Sequence, residues 1–416
     1  MSRGACEALG RRPTWRERRG PRAVRQRLRL LASVLFLTAC RDAITAISGG
    51  RTVEGSDRVA WRLPVISPPS GGRLAVDSTR VYVYTSALTM AAYSLRTRAE
   101  LWSLGTNETN FDRPMGGLVL CGGRIVFGTY RAVYGATPAT GERNWRSVPS
   151  LGGSLHVGAP VCAEGVVFFG TYVSQRLYAV DAASGRELWG IRLGSAPSAN
   201  GLVFTPSVSD GVVVTCTRQF TEPRTGTVLA VDARSGQALW QYTWVPLAPI
   251  RDASCARPVV VSAGVVLAAV DDGRVFGLDL RTGQLRWTLP PVAGYLTPAE
   301  ERGLTAGGGG VALVGSLSGV VQAVDTRTGT VLWTAGSRDD VTATNIIDPG
   351  AGDAEQMIGI NQSGYALAFE TRTGRRLWTV ERGKEANERI LFAPGVLTPD
   401  LFIAVGSDGI YGIRRR

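Results

Sequence analysis

The sequence predicts an all-β fold: an eight-bladed β-propeller of four-stranded antiparallel blades, with the last blade closed by an N-terminal strand. Three observations support this prediction. Tryptophans recur about every 45 residues, a β-rich run precedes each of them, and each end of the chain contains part of one further blade. A period near 45 residues is the size of one four-stranded propeller blade.

The first 39 residues form a basic leader with a short apolar run. The basic stretch ends at Arg29, and the apolar run that follows is too short to span a bilayer but has the length of a signal-peptide core. The run ends in Leu37-Thr38-Ala39-Cys40, which resembles the bacterial lipobox with its small residues before the cysteine. We therefore expect a lipoprotein signal peptide over 1–39 and lipidation of Cys40, with palmitate or a similar acyl chain, as a stable membrane anchor.

The charge distribution argues against binding to nucleic acid. The formal net charge is +12, but the ten arginines and two glutamates of residues 1–39 carry +8 of it, which leaves +4 for the rest of the chain. A nucleic-acid site needs clustered basic side chains that neutralise phosphates. Residues 40–58 are polar and glycine-rich, which is typical of a flexible tether.

A motif of aspartate, glycine and tryptophan recurs in seven copies. The tryptophans are Trp102, Trp145, Trp189, Trp240, Trp287, Trp333 and Trp378, spaced by 43, 44, 51, 47, 46 and 45 residues. Four positions earlier stand Gly141, Gly185, Gly236, Gly283, Gly329 and Gly374, with Arg98 in the first copy. Eight positions earlier stand Asp181, Asp232, Asp279 and Asp325, with Ser94, Thr137 and Glu370 in the other copies.

The repeated residues predict a turn between two antiparallel strands. An aspartate accepts hydrogen bonds from nearby backbone N–H groups, and glycine adopts the positive φ that a tight turn requires. Each sheet has two apolar faces, and only neighbours stacked around a closed ring can bury both. The repetition therefore indicates a shape.

The two ends of the chain complete the count of blades. The last segment, LFIAVGSDGIYGIRRR, has the first strands of a blade but lacks the glycine and tryptophan. The segment RVAWRLP supplies the missing outer strand with Trp61. Pairing these segments closes the ring without exposed strand edges. The predicted organisation is a signal peptide over 1–39, a tether over 40–58 and a propeller over 59–416.

The pattern Ala-x-Asp-x-x-Thr-Gly-x-x-x-Trp resembles the pyrroloquinoline-quinone (PQQ) type propeller repeat over about residues 59–416. That family includes quinoprotein alcohol dehydrogenases and BamB, a lipoprotein family of the outer-membrane β-barrel assembly machinery, which the chain resembles most closely. The resemblance implies that the repeated residues are a docking motif between blades. It also implies that a dehydrogenase of this family has an adjacent-cysteine disulfide, a Ca²⁺ site and a catalytic aspartate.

The residues that such chemistry requires are missing from the sequence. None of the six cysteines is adjacent to another, and His156 is the only histidine, which argues against histidine zinc sites and Ser-His-Asp catalysis. Asp271-Asp272-Gly273 is interpreted as a hairpin turn rather than a metal loop. We expect no enzyme activity, no metal and no cofactor; PQQ and Ca²⁺ belong only to the dehydrogenase alternative.

Four cysteines remain beyond Cys6 and Cys40. In an oxidising compartment they allow three pairings. Cys121 and Cys162 occupy nearly the same position in adjacent blades, and by strand direction Cys216 and Cys255 lie on one face of neighbouring blades. These are the two expected disulfides, and four buried reduced thiols are the alternative.

Long loops between blades are the predicted binding region, because binding residues concentrate on loops held by a rigid scaffold. They cover residues 190–205, 241–257, 288–310 and 379–398. The resemblance to BamB implies partner contacts in the first two loops, with Arg192, Arg251 and Asp252 as candidate residues. Trp244, Tyr295 and Leu296 are either apolar anchors for a partner or residues that pack the loops onto the ring.

The function predicted from these features is a non-enzymatic, monomeric envelope scaffold that resembles BamB and binds proteins of outer-membrane β-barrel assembly. We expect an outer-membrane lipoprotein that faces the periplasm, since Arg41 does not match the aspartate signal for retention at the inner membrane. The alternatives are a PQQ-dependent oxidoreductase or PQQ binder, and a surface lipoprotein that binds polysaccharide or another protein.

Overall fold

The computed structural model describes residues 58–65, 74–85, 89–105, 114–150, 157–172, 174–193, 201–219, 226–247, 255, 258–291, 303–315, 320–336, 347–361, 365–381, 393–406 and 409–416. All of them lie in one compact unit, Gly49–Arg416. The predicted signal peptide and Cys40 lie outside the described residues. No helix in the described part of the chain is long and apolar enough to cross a membrane.

The described strands form eight antiparallel sheets, and each sheet is one blade. We letter the four strands of a blade A to D in order. Blade 1 consists of β2 (Ala75–Val76), β3 (Arg80–Tyr84), β4 (Thr89–Ser94) and β5 (Glu100–Gly105). Blade 2 consists of β6 (Pro114–Cys121), β7 (Arg124–Thr129), β8 (Val133–Ala136) and β9 (Arg143–Ser147). Blade 3 consists of β10 (Val161–Ala163), β11 (Val166–Gly170), β12 (Arg176–Asp181) and β13 (Glu187–Arg192). The strand β1 (Val59–Leu63) belongs to the last blade.

Blades 4 to 7 follow the same order along the chain. They consist of β14 (Gly201–Val203), β15 (Ser207–Ser209), β16 (Val212–Gln219), β17 (Gly226–Asp232) and β18 (Ala238–Thr243); β19 (Val260–Ser262), β20 (Val265–Ala269), β21 (Val275–Asp279) and β22 (Leu285–Leu289); β23 (Gly303–Ala306), β24 (Val311–Gly315), β25 (Val320–Asp325) and β26 (Val331–Gly336); β27 (Ile347–Gly352), β28 (Gln356–Asn361), β29 (Tyr365–Glu370) and β30 (Arg376–Glu381). A short 3₁₀ turn, Gly308–Gly310, connects β23 and β24.

Blade 8 is composite, as the sequence predicts. It consists of β31 (Ala393–Leu397), β32 (Leu401–Gly406) and β33 (Gly409–Arg414), and β1 pairs with β33 as the outer strand. Trp61 lies opposite Gly412, the same relation that Trp102 has to Ala92 in blade 1. The predicted eight-bladed propeller, closed by an N-terminal strand, is therefore confirmed.

Blade 4 departs from the simple pattern. Its A strand is divided into β14 and β15, and both segments pair with the long strand β16. The interruption includes Pro206, which cannot donate a backbone hydrogen bond. The sequence prediction placed residues 190–205 in a loop, but Arg192 ends β13 and Gly201–Val203 forms β14.

Apolar side chains fill the space between every pair of neighbouring blades. In the described residues each interface has its own buried cluster, and the one between blades 8 and 1 includes Leu63, Val81 and Ile403. Because that cluster joins the last blade to the first, the ring is closed. Both faces of each sheet are buried in this way.

The repeated tryptophans join each blade to the next. Each indole Nε1 donates to a backbone carbonyl of the following blade at 2.9–3.2 Å: Trp102 to Pro138, Trp145 to Ala182, Trp189 to Ala233, Trp240 to Leu280, Trp287 to Thr326, Trp333 to Thr371 and Trp378 to Arg415. In blades 2 to 7 the acceptor belongs to the turn between the C and D strands, and in blade 8 it is Arg415, just after the C strand β33. The tryptophans therefore dock neighbouring blades together.

The repeated glycines lie against these indoles. All six have φ between +70° and +75°, where only glycine avoids strain. A Cβ atom on Gly283 would lie 2.5 Å from the Trp240 ring, and one on Gly185 would lie 2.5 Å from the Trp145 ring. Close approach and backbone conformation both require glycine here.

Arginine replaces this glycine contact on both sides of the closing blade. Arg98 has φ +66° and its guanidinium stacks over Trp61 at 4.6 Å. The Arg58 guanidinium lies 5.9 Å from the Trp378 ring. Cation–π contacts thus take the place of glycine packing at the two interfaces of blade 8.

In blades 3 to 7 the C–D turn begins with an acidic residue that accepts hydrogen bonds within the turn. The Asp181 carboxylate accepts from the Ser184 backbone N–H at 2.8 Å, and Asp232 accepts from that of Ser235 at 2.8 Å. Burial raises the pKa of the Asp279 carboxyl, but hydrogen bonds from Arg286 and from the Thr282 N–H outweigh it and lower the pKa to about 2. The carboxylates therefore hold the turns in their charged form.

Two disulfides cross blade interfaces, at the pairs expected from the sequence. Cys121 in β6 is bonded to Cys162 in β10, with the Cα atoms 5.6 Å apart. Cys216 in β16 is bonded to Cys255, with the Cα atoms 6.2 Å apart. The first joins blades 2 and 3, and the second joins blade 4 to the segment that precedes blade 5.

Candidate partner-binding site

The propeller has two faces with different connections. The inter-blade segments and the B–C turns lie on one face, which we call the loop face, because D strands end there and A strands begin there. The A–B and C–D turns lie on the other face, which we call the turn face. The described ends of the predicted partner-binding loops lie on the loop face.

The B–C turn of blade 5 organises the segment that leaves blade 4. Gly273 has φ +83°, and its N–H donates to the Val270 carbonyl at 2.9 Å, which forms the predicted hairpin turn. Within this turn Asp272 and Arg274 form an ion pair, and their side chains are only 2% and 15% exposed. Pairing the two side chains offsets part of the cost of removing their charges from water.

This ion pair also binds the neighbouring chain segment. Arg274 Nη2 donates to the Val245 carbonyl at 2.7 Å, and the Leu247 N–H donates to Asp272 Oδ2 at 3.2 Å. The Arg274 guanidinium lies 4.9 Å from the Phe276 ring. The acid and the base thus each hold one backbone group of the segment beyond β18.

Aromatic packing and a disulfide also fix this segment to the core. Trp244 lies 5.9 Å from Phe276, ring to ring. Cys255 is fully buried, forms a β-bridge with Val270 and is bonded to Cys216. Both ends of the segment between β18 and blade 5 are therefore fixed to the ring.

The fixed segment presents apolar side chains to solvent. Val245 is 82% exposed and Leu247 is 48% exposed, although their backbone groups are held by the buried ion pair. We call Trp244–Leu247 the blade 4–5 shelf. Apolar groups that are exposed on a rigid backbone lose little conformational entropy on binding, which suits a docking surface.

The structure describes only some of the predicted site residues. Arg192 is exposed at the end of β13 and lies opposite Arg176 of β12, on the loop face but in a strand rather than in a loop. Arg251 and Asp252 lie outside the described residues, as do Tyr295 and Leu296. Trp244 packs against the core between blades 4 and 5 and is only partly buried.

A second polar group lies next to Arg192. The Arg176 side chain is buried, and its Nε and Nη1 atoms have no hydrogen-bond partner. Burial raises the pKa of the Tyr178 hydroxyl, while the nearby charges of Arg176 and Arg192 act in the opposite direction. This end of blade 3 is therefore basic, in contrast to the apolar blade 4–5 shelf.

The ion pair of Asp272 and Arg274 was missed by the sequence reasoning. The sequence indicated a hairpin turn at these residues, but their contact with Val245 and Leu247 joins positions 25 to 29 residues apart. Two opposite charges in a turn do not reveal which distant segment of the chain they bind. The contact depends on the packing of one blade against the next.

Two segments of the chain, residues 130–294 and 292–415, match a family model described as outer membrane protein assembly factor BamB. Together they span more than half of the sequence. The chain belongs to the BamB family. This agrees with the resemblance seen in the repeat motif.

Individual relatives are of two kinds. A quinohemoprotein alcohol dehydrogenase, ADH IIB of Pseudomonas putida, is 32% identical over 176 residues, which are 39% of this chain and 24% of that protein. BamB of Moranella endobia is 28% identical over 162 residues, which are 37% of this chain and 38% of that protein. The matched part thus spans well under half the length of either relative, and the two kinds are about equally similar.

A solved structure of BamB from Moraxella catarrhalis has the same fold. It superimposes with a TM-score of 0.57 over 82% of this chain and 93% of that chain, at 16% sequence identity. At this level of identity the likeness concerns the fold alone. The fold is common to both kinds of relative and does not separate scaffold from enzyme.

Proposed function

We propose that the protein is a non-enzymatic scaffold of the bacterial envelope that binds a protein of outer-membrane β-barrel assembly through its loop face. The observation that carries the proposal is the BamB family match, which covers residues 130–415 and includes the blade 4–5 shelf. A lipid anchor at Cys40 and a position at the outer membrane, facing the periplasm, belong to the same proposal. The proposed function does not involve nucleic acid.

The geometry of the shelf supports this role. Val245 and Leu247 are exposed while their backbone is held by Asp272 and Arg274, so a partner meets a surface that is already ordered. Pre-ordering reduces the entropic cost of association. Arg192, on the same face, adds a charged group for orientation of the partner.

The quinoprotein alternative rests on the similarity to the alcohol dehydrogenase of P. putida. The described residues do not fit its cofactor. Both disulfides join cysteines that are 41 and 39 residues apart, and the described residues contain no group of three histidine, cysteine or acidic side chains that could hold a metal ion. A Ca²⁺ ion would need several such oxygen ligands.

Affinity capture from gently solubilised membranes tests the proposal. The wild-type protein is compared with a shelf variant, Val245→Ser with Leu247→Ser, and with a control variant, Leu101→Ser with Leu332→Ser. The control removes two leucines that are 47% and 39% exposed on D strands. Mass spectrometry identifies the captured proteins and any released small molecule.

We expect the wild type and the control to capture a barrel-assembly protein, and the shelf variant to capture roughly tenfold less. Equal capture by all three proteins would show that the shelf does not bind the partner. Release of quinone and Ca²⁺ without any such partner would contradict the scaffold function and favour the oxidoreductase.

A further inference from the structure

The turn face carries a repeated arginine that the partner-binding function does not use. In five C–D turns an arginine stands two residues after the residue that begins the turn. These are Arg96, Arg234, Arg281, Arg327 and Arg372, and all five are exposed. We call them the arginine arc.

The arc is continuous around most of the ring. It covers blades 4, 5, 6 and 7 in succession and then blade 1, and blade 8 between them ends in Arg414, Arg415 and Arg416. Blades 2 and 3 have Ala139 and Ala183 at the same position. One side of the turn face is therefore arginine-rich, and the other side is not.

The turn geometry directs acid and base differently. The backbone N–H groups of Arg234, Arg281 and Arg327 donate to the carboxylate that begins their turn, at 3.1, 2.9 and 2.9 Å. Those carboxylates are only partly exposed, while the arginine side chains are exposed. The basic group of each turn is therefore the more accessible one.

Acidic residues near the end of the chain already have partners. Asp353 pairs with Arg415, and Glu355 pairs with Arg416 at 2.9 Å. These pairs lie between blades 7 and 8, so they neutralise the C-terminal arginines rather than the arc itself.

The polypeptide enters the propeller on the turn face. Val59 of β1 pairs with Ile413, near the C-terminal end of β33, and Arg58 Nη1 donates to the Arg414 carbonyl at 3.4 Å. β1 runs from there toward the loop face. The segment that precedes Arg58, including Cys40, is therefore connected to the ring beside the arginine arc.

We propose that the arginine arc binds the anionic phospholipid headgroups of the membrane that holds the lipid anchor. This inference rests on the anchor at Cys40, which is part of the proposed function. Seventeen residues lie between Cys40 and Arg58, and the chain from one to the other reaches about 60 Å when fully extended, far enough for the turn face to lie on the bilayer. Basic side chains near an anionic leaflet are attracted within about one Debye length.

Docking of the turn face has a consequence for the partner. The loop face lies on the opposite side of the ring, so the blade 4–5 shelf and Arg192 are directed away from the membrane. The arc and the shelf then act together: one face orients the ring on the lipid surface, and the other presents it to a partner.

The test uses the chain from residue 41 onward, which retains all eight closed blades but has no lipid. Its binding to vesicles is measured by flotation, with phosphatidylcholine alone or with added phosphatidylglycerol, at low and high salt. The arc variant is Arg234→Gln, Arg281→Gln and Arg327→Gln. The control variant, Arg131→Gln, Arg146→Gln and Arg218→Gln, removes the same number of positive charges outside the turn face. Circular dichroism and thermal unfolding establish that both variants are folded.

We expect the wild type and the control to bind vesicles that contain phosphatidylglycerol, with binding lost at high salt and absent on phosphatidylcholine. The arc variant should bind roughly tenfold or more weakly. No binding of the wild type at low salt, or equal loss in both variants, would overturn the proposal.

Partner capture separates this result from the scaffold function. The arc variant, made in the full chain, should capture the barrel-assembly partner as well as the wild type does. Arc-dependent vesicle binding without any partner would contradict the scaffold function and support the arc. Partner capture without vesicle binding would support the scaffold function and contradict lipid binding by the arc.

Discussion

At the scale of single residues, the glycine of each C–D turn and the tryptophan of the preceding blade meet without room for a methyl group. The Trp240 indole donates to the Leu280 carbonyl at 2.9 Å while its ring faces Gly283. One residue pair thus combines a hydrogen bond with a close packing contact. The same pair recurs from blade to blade, which explains its presence in the sequence without any catalytic role.

We predict that Gly283→Ala destabilises the ring more than Gly264→Ala. Both glycines have φ near +70°, so both substitutions incur roughly 1–2 kcal/mol of backbone strain. A Cβ at Gly264 meets nothing within 4 Å, whereas one at Gly283 lies 2.5 Å from Trp240 and adds about 1–3 kcal/mol of overpacking. Denaturant unfolding measures the difference, and equal losses in the two variants would show that the indole contact is not tight.

The repeated residues could be predicted because they are periodic, whereas the exceptions could not. Gly283 and its equivalents appear by position alone. Arg98 stands where a glycine is expected, and only the packing of blade 1 against blade 8 reveals its contact with Trp61. The Asp272–Arg274 pair is likewise a contact between segments that are distant in sequence.

At the scale of elements, the Cys216–Cys255 disulfide fixes the long segment between β18 and blade 5 to the ring. The residue Cys255 lies outside any strand, yet it is fully buried and bridged to Val270. Together with the Asp272–Arg274 pair, the disulfide fixes both ends of the segment that carries the blade 4–5 shelf. The Cys121–Cys162 disulfide instead joins two A strands directly.

Removal of the Cys216–Cys255 bond should loosen the shelf as well as destabilise the protein. Each disulfide closes a loop of about 40 residues, so loss of either one costs about 4 kcal/mol by chain entropy. In Cys216→Ala with Cys255→Ala, we expect faster hydrogen exchange of the Leu247 amide. The matched control is Cys121→Ala with Cys162→Ala, which should lose similar stability without that local change.

Two outcomes decide whether the bond acts on the shelf. Exchange at Leu247 that rises only in the Cys216→Ala, Cys255→Ala variant identifies a local tether. Exchange that rises equally in both variants indicates global destabilisation, and the tether role is then wrong.

The strands of each blade were predictable because the β-rich runs and turns repeat, but their ends were not. The divided A strand of blade 4 depends on how β14 and β15 share the long partner β16. Arg192 was expected in a loop. It lies in β13 instead, because it pairs with Arg176 of the neighbouring strand β12. Pairing between neighbouring strands therefore determines where each strand ends, which the local sequence does not specify.

At the scale of the whole molecule, closure of the ring gives the protein two separate faces. β1 completes blade 8, and the buried cluster between blades 8 and 1 joins the ends of the chain. Closure was predictable from the two partial blades at the ends. The hypothesis that the loop face meets a partner came only from the family resemblance, because fold does not specify function.

The most direct test of the central claim is site-specific photocrosslinking in living cells, with the crosslinker at Val245 on the loop face or at Arg281 on the turn face. Val245 is 82% exposed and Arg281 is also exposed, so neither replacement disturbs the core. We predict that position 245 crosslinks a barrel-assembly protein and that position 281 does not. Crosslinks to that protein from position 281 alone, or none from position 245, would contradict the claim that the loop face is the scaffold surface.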